Sequence, residues 1–129
     1  MNVDKFTISN NPSPRELTEG LAVVTNTIAY LAEQCAALKN IMADAEDTYK
    51  QLADEKLLMY SDLYPKATQV KLKALVNTDE DVVKARAVWL KAKADTLTMD
   101  TRYKSWDNRF ICLRKIASIK TIEMQTIEK

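Results

Sequence analysis

Six cations and two phenols gather in the middle of this chain: Lys56, Lys66, Lys71, Lys73, Lys84 and Arg86, with Tyr60 and Tyr64 among them. Ammonium and guanidinium groups neutralise phosphates and release counterions without reading base sequence. Tyrosine rings offer exposed bases a face on which to stack. Together they make the chemistry of single-stranded nucleic-acid binding. A plainer reading of the same residues is a solvated helical surface whose tyrosines pack, and both readings stay open.

Catalytic chemistry has little to work with. The chain has no His, the commonest general base and metal ligand. With a single Gly, Gly20, it has no glycine-rich phosphate loop. Cys35 and Cys112 lie far apart, and zinc would need two further soft ligands. Asp44, Glu46 and Asp47 could be taken for metal carboxylates, but a solvated helix face explains them more simply. Asp79, Glu80 and Asp81 fit the first turn of a helix. The expectation is no enzyme, no metal and no cofactor.

The elements that must position the cations are long helices. In the first half, Leu17, Leu21, Val24, Ile28, Leu31, Cys35, Leu38, Met42, Ala45, Tyr49 and Leu52 recur at alternating spacings of four and three. That is a heptad seam, and a helix carrying one is stable only when another helix covers the stripe. Ser13-Pro14-Arg15-Glu16 is a start signal: Ser13 can cap, Pro14 suits the first helical position, and Glu16 completes a capping box. The helix is expected over about 14–62, ending at Tyr64-Pro65 because the residue before proline is pushed out of helical geometry.

Residues 63–77 form the connector. It reads as a brief helix with Ala67, Val70, Ala74 and Leu75 near one face, and the alternation over 70–73 leaves a strand-like reading open. Thr78 then reads as the cap of a second long helix over about 79–126. Its seam is Val82, Ala85, Trp89, Ala92, Thr96, Met99, Tyr103, Trp106, Phe110, Leu113 and Ala117, apolar at every position except Thr96. Residues 1–12 read as an N-terminal arm in which Phe6 and Ile8 alternate with Thr7, leaving 13–129 as one helical domain.

The expected fold is therefore all-α: two long amphipathic helices in an antiparallel hairpin or coiled-coil bundle with a short connector. Leu17, Leu21, Ile28, Leu31, Leu38, Trp89, Tyr103, Trp106 and Phe110 are the expected core and assembly residues. Val23, Tyr30, Ala37 and Ile41 widen the first apolar face, and Val83, Val88, Leu97, Ile111, Ile116 and Ile119 flank the second. Two helices cannot cover faces this broad, so a homo-oligomer is expected.

Charge is split along the chain. Residues 1–62 hold ten acids and five bases, net −5; residues 63–129 hold eight acids and fourteen bases, net +6. The basic half can face a polyanion, or the acidic helix can lie against the basic one. A second basic group, Arg102, Lys104, Arg109, Arg114, Lys115 and Lys120, can pair with acids of the first helix. No run of about eighteen apolar residues and no signal-like N-terminus is evident, so no membrane span and a cytoplasmic location are expected.

The stretch Lys71-Leu72-Lys73-Ala74-Leu75-Val76-Asn77-Thr78-Asp79-Glu80-Asp81-Val82-Val83-Lys84, preceded by Lys56-Leu57-Leu58-Met59-Tyr60-Ser61, resembles the UvsY-type recombination mediators of phages. The resemblance covers about thirty residues, in a pattern of caps and heptads. It implies a short helical protein that forms ring-like oligomers, binds single-stranded DNA and helps load a recombinase. In that family a Lys-x-Arg pair precedes a Leu-x-Tyr-Tyr-Ser run. Here Lys56 takes the second basic position, Asp54 stands at the first, and Tyr60-Ser61 remains of the run.

The leading expectation is a non-catalytic, oligomeric, single-stranded-DNA-binding recombination accessory, with self, single-stranded DNA and a recombinase as partners. The alternatives are a small helical module that docks on another protein, such as a phage-encoded inhibitor or adaptor of a host or phage protein, and a structural coiled-coil component.

Overall fold

The computed structural model describes residues 12–128, with side chains to residue 123. The arm expected over 1–12, with its Phe6–Ile8 alternation, lies outside them except for Pro12. Three helices follow one another, α1 (Pro14–Leu63), α2 (Gln69–Thr78) and α3 (Glu80–Glu128), and no strand occurs among the described residues. The fold is all-α.

Each helix starts where capping chemistry places it. The Ser13 N–H donates to the Glu16 carboxylate at 3.2 Å, and the Glu16 N–H donates to Ser13 Oγ at 3.2 Å. This reciprocal box satisfies donors that the first turn leaves without helical partners. Thr68 caps α2, its hydroxyl accepting from the Lys71 N–H at 3.3 Å. Asp79, not Thr78, caps α3: its Oδ1 accepts from the N–H groups of Asp81 and Val82 at 3.0 and 3.3 Å. Thr78 instead closes α2, its hydroxyl donating back to Ala74 O at 2.9 Å. A carboxylate outcompetes a hydroxyl at a helix start because it meets the positive end of the dipole with full charge.

The described residues divide into two compact units, 12–35 with 99–128, and 36–98. In the first, Leu17, Val24 and Leu31 of α1 and Trp106 and Leu113 of α3 are buried together. Leu21, Ile28, Met99, Tyr103 and Phe110 pack around them. Trp106 is 1% exposed. Thr27 is fully buried in α1, and its hydroxyl is satisfied by Val23 O at 2.8 Å. A hydroxyl that bonds one turn back on its own helix can sit in an apolar interior without an unpaired donor.

In the second unit, Tyr49 stacks on Trp89 with ring centroids 5.5 Å apart and planes inclined by 13°. Leu38, Met42, Ala45 and Leu52 are half-buried, while Val82, Ala92 and Thr96 are buried. The polar seam residue Thr96 donates to Ala92 O at 2.8 Å, with Leu38 O a further 3.4 Å contact. The connector is helical, as its spacing suggested, but a different face is covered. Leu72 and Val76 are buried and Leu75 is half-buried, whereas Val70 is 81% exposed and Ala74 is exposed. Leu72, Leu75 and Val76 follow the three-and-four spacing that one helix face requires; Val70 does not share it.

The flanking stripes behave differently from the seams. Val23 and Ile116 are half-buried, but Tyr30, Ile41, Val83, Val88, Leu97, Ile111 and Ile119 are exposed. An 18-residue window of α1 reaches a mean hydropathy of 1.3 with 22% of it buried, which by length and composition alone suffices to cross a membrane. Seam packing accounts for the apolar residues of that helix equally well.

Candidate nucleic-acid interface

Six of the eight cations and tyrosines expected to act together divide into two groups. Lys56, Tyr60 and Arg86 are built into the joint between the helices. The Tyr60 hydroxyl donates to Asp79 Oδ2 at 2.6 Å. Lys56 Nζ lies 3.6 Å from the same oxygen and 3.1 Å from Asp81 Oδ2, with its side chain 20% exposed. Arg86 Nε donates to the Tyr49 hydroxyl and its Nη2 to the Asn77 carbonyl and amide oxygens, each at 3.4 Å. The Arg86 guanidinium also sits 5.6 Å from the Tyr49 ring centroid, a cation–π contact.

This joint shifts its own titrations. Hydrogen bonding to Tyr60 holds the Asp79 carboxyl below the usual aspartate range, helped by the N–H groups of Val82 and Asp81 and by Lys56, against burial. The same bond raises the Tyr60 phenol, with burial adding to the effect. Hydrogen bonding to Asp81 raises the Lys56 ammonium. Each shift favours the protonation state that already predominates at neutral pH.

The second group faces outward. The turn after α1 and the start of α2 form an open groove lined by Leu63, Tyr64, Pro65, Lys66, Thr68 and Lys71, among others. Tyr64 is 49% exposed and stacks on Tyr60 with centroids 6.5 Å apart. The anchored Tyr60 thus gives Tyr64 a fixed ring to lean on. Lys66 and Lys71 are exposed, and the first turn of α2 brings the positive end of its dipole to the same groove. Pro65 sets the turn and Thr68 caps the helix, so the sequence Tyr-Pro-Lys-Ala-Thr holds this arrangement locally.

Lys73 and Lys84 lie apart from the groove. Lys73 is exposed and about 200° round α2 from Lys71. Lys84 is exposed and pairs with Glu80 on its own helix at 3.3 Å. Of the expected core residues, Leu17, Leu31 and Trp106 are buried and Leu21, Ile28, Leu38, Trp89, Tyr103 and Phe110 half-buried, all within one chain. Two contributors escaped sequence reasoning. Asp79 stands in the sequence as one of three first-turn acids with nothing to single it out, and the signal for Thr68 is a Thr after a proline turn, a helix start.

The arrangement offers anion binding and ring stacking. Among the described residues no His, Cys, Asp and Glu side chains group as a metal site. No family model, curated protein or solved structure matches the chain.

Proposed function

We propose that this protein is a non-catalytic helical accessory that binds single-stranded DNA through the groove of Tyr64, Lys66 and Lys71, and that it works as a homo-oligomer of antiparallel helical hairpins. The observation that carries the reading is the convergence of one exposed aromatic ring, two exposed lysines and a helix N-terminus on a single groove. Lysines and the dipole attract the backbone, and the ring takes a base; neither selects sequence. The resemblance of 56–84 to recombination mediators points the same way, toward loading a recombinase on single-stranded DNA in the cytoplasm.

On this reading the binding role falls to fewer residues than composition suggests. Lys56, Tyr60 and Arg86 support the joint behind it, because each already has a partner within the chain. Lys73 and Lys84 add charge from outside the groove. The test is fluorescence anisotropy of a labelled oligonucleotide with single- and double-stranded competitors. Wild type should prefer the single strand, which alone has bases free to stack, and Lys66→Ala with Lys71→Ala should weaken binding. Equal competition by duplex would remove the stacking role.

A second reading, a helical module that docks on another protein, is favoured by the exposed apolar positions of α3, Val83, Val88, Leu90 and Leu97. Exposed apolar stripes of this kind mark protein contacts. Failure of oligonucleotide binding at low salt would put it first.

A further inference from the structure

Beside the groove of Tyr64, Lys66 and Lys71 lies a second cleft of about 380 Å³, lined by Asp54, Leu57, Leu58 and Ser61 of α1 and by Gln69 and Leu72 of α2. The four α1 residues recur at spacings of three, one and three, which puts them on one face of that helix. Leu72 is buried and Leu57 half-buried, so the inner wall is apolar. Asp54, Ser61 and Gln69 are exposed around it. None of these three side chains has a hydrogen bond or ion pair among the described residues.

The cleft and the groove meet along the first turn of α2. Thr68 and Lys71 line the groove, and their sequence neighbours Gln69 and Leu72 line the cleft. Lys73 is exposed one turn beyond Gln69, on the same side of α2. Cations therefore stand on both sides of the cleft: Lys66 and Lys71 toward the groove, and Lys73 beyond Gln69. None of the three has an ion pair among the described residues.

The carboxylate decides what the cleft receives. Asp54 repels phosphate, so the backbone of a bound strand stays with the lysines. A base is apolar on its faces and polar at its edge, which suits two leucines rimmed by a carboxylate, a hydroxyl and an amide. An ionised carboxylate only accepts hydrogen bonds. It takes the exocyclic amine of cytosine or adenine and rejects the carbonyl oxygen that thymine presents there. The Ser61 hydroxyl and the Gln69 amide can donate to the ring nitrogen beside that amine. Exposed Glu55 and Asp62 lie roughly 90–110° round α1 from the centre of this face, so Asp54 is the acid that lines the cleft.

We infer that this cleft receives the base next to the one stacked on Tyr64 and selects cytosine or adenine over thymine. The inference rests on the groove reading and deepens it. The groove holds a strand without regard to sequence, and the cleft adds a preference for bases that carry an amine. Lys73 then contacts the phosphate beyond the selected base.

The test is competition for a labelled mixed-sequence single strand at low salt, read by fluorescence anisotropy, with oligo-dC and oligo-dT of equal length. Two pyrimidines keep ring size constant, so the comparison isolates the base edge. For wild type, oligo-dC should compete about fivefold to tenfold better than oligo-dT, the lower range for one base-edge contact. Asp54→Ala should bring the ratio to about one. The position is exposed, and circular dichroism should show unchanged helicity. Glu55→Ala removes the same charge outside the cleft and should keep the wild-type ratio. Lys66→Ala with Lys71→Ala should weaken both competitors alike and also keep the ratio. A wild-type ratio of one would overturn the cleft and leave the groove standing. So would an Asp54→Ala variant that binds both strands more tightly at an unchanged ratio, because the carboxylate would then act only by repulsion. Failure of the wild type to bind the labelled strand at all would overturn the groove reading and this inference with it.

Discussion

The Tyr60 hydroxyl donates to Asp79 Oδ2 at 2.6 Å across nineteen residues of sequence. The other oxygen of that carboxylate caps α3. One side chain therefore ties the end of α1 to the start of α3, and the ring it anchors is the one on which Tyr64 stacks. Stability of the joint and presentation of the groove are linked through this bond.

The first prediction follows from the depressed titration of Asp79. A carboxyl whose folded pKa lies below its unfolded value stabilises the fold at pH above the usual aspartate range. That contribution is lost as pH falls through that range toward the folded value. Wild type should lose Tm steeply on acidification below about pH 4. Asp79→Asn should lower Tm by several degrees at pH 7 and show a flatter acid limb. Thermal melts from pH 7 to pH 2 check both; parallel acid limbs would show that Asp79 is not the titrating group.

Trp106 tests the core. At 1% exposure in the buried cluster, Trp106→Ala should cost about 3–5 kcal/mol. Leu90→Ala, on the exposed stripe, should fall within about 0.5 kcal/mol in the monomer. Urea titration with circular dichroism separates the two; equal midpoints would place Trp106 at the surface.

Thr96 tests a polar seam position. Its hydroxyl is satisfied by Ala92 of its own helix, so Thr96→Val removes donor and demand together and should change stability by less than about 1 kcal/mol. A larger loss by the same titration would assign real weight to the longer contact with Leu38 O.

Much of this fold was legible because a helix repeats its exposure every three to four residues. Every seam position from Leu17 to Leu52 and from Val82 to Ala117 is buried or half-buried. The Ser13–Glu16 box was legible because both partners lie within one turn. The joint was not: Lys56 and Asp81 meet across twenty-five residues, a distance at which spacing says nothing about contact. Lys56 and Tyr60 therefore looked like binding residues when read along the chain, although the fold uses both. Lys66 and Lys71 are exposed beside a proline turn, where neither long seam reaches.

Tyr64 should contribute through stacking. Tyr64→Ala should weaken single-stranded oligonucleotide binding by about 1–3 kcal/mol, with the salt dependence unchanged because no cation is lost. Anisotropy titrations at fixed and varied salt read both. A change in slope without loss of affinity would contradict the stacking role.

The most direct measurement is the salt dependence of single-stranded oligonucleotide binding between 50 and 200 mM. Lys66, Lys71 and Lys73 together should give a log–log slope near −2 per subunit, about a twenty-fold loss of affinity over that range. Lys66→Ala with Lys71→Ala should remove roughly 1.4 of that slope; Lys73→Ala should remove less, since it lies outside the groove. Helicity and oligomer mass should not change. Absence of salt-dependent binding by the wild type at 50 mM would contradict the account and leave the protein-docking reading in its place.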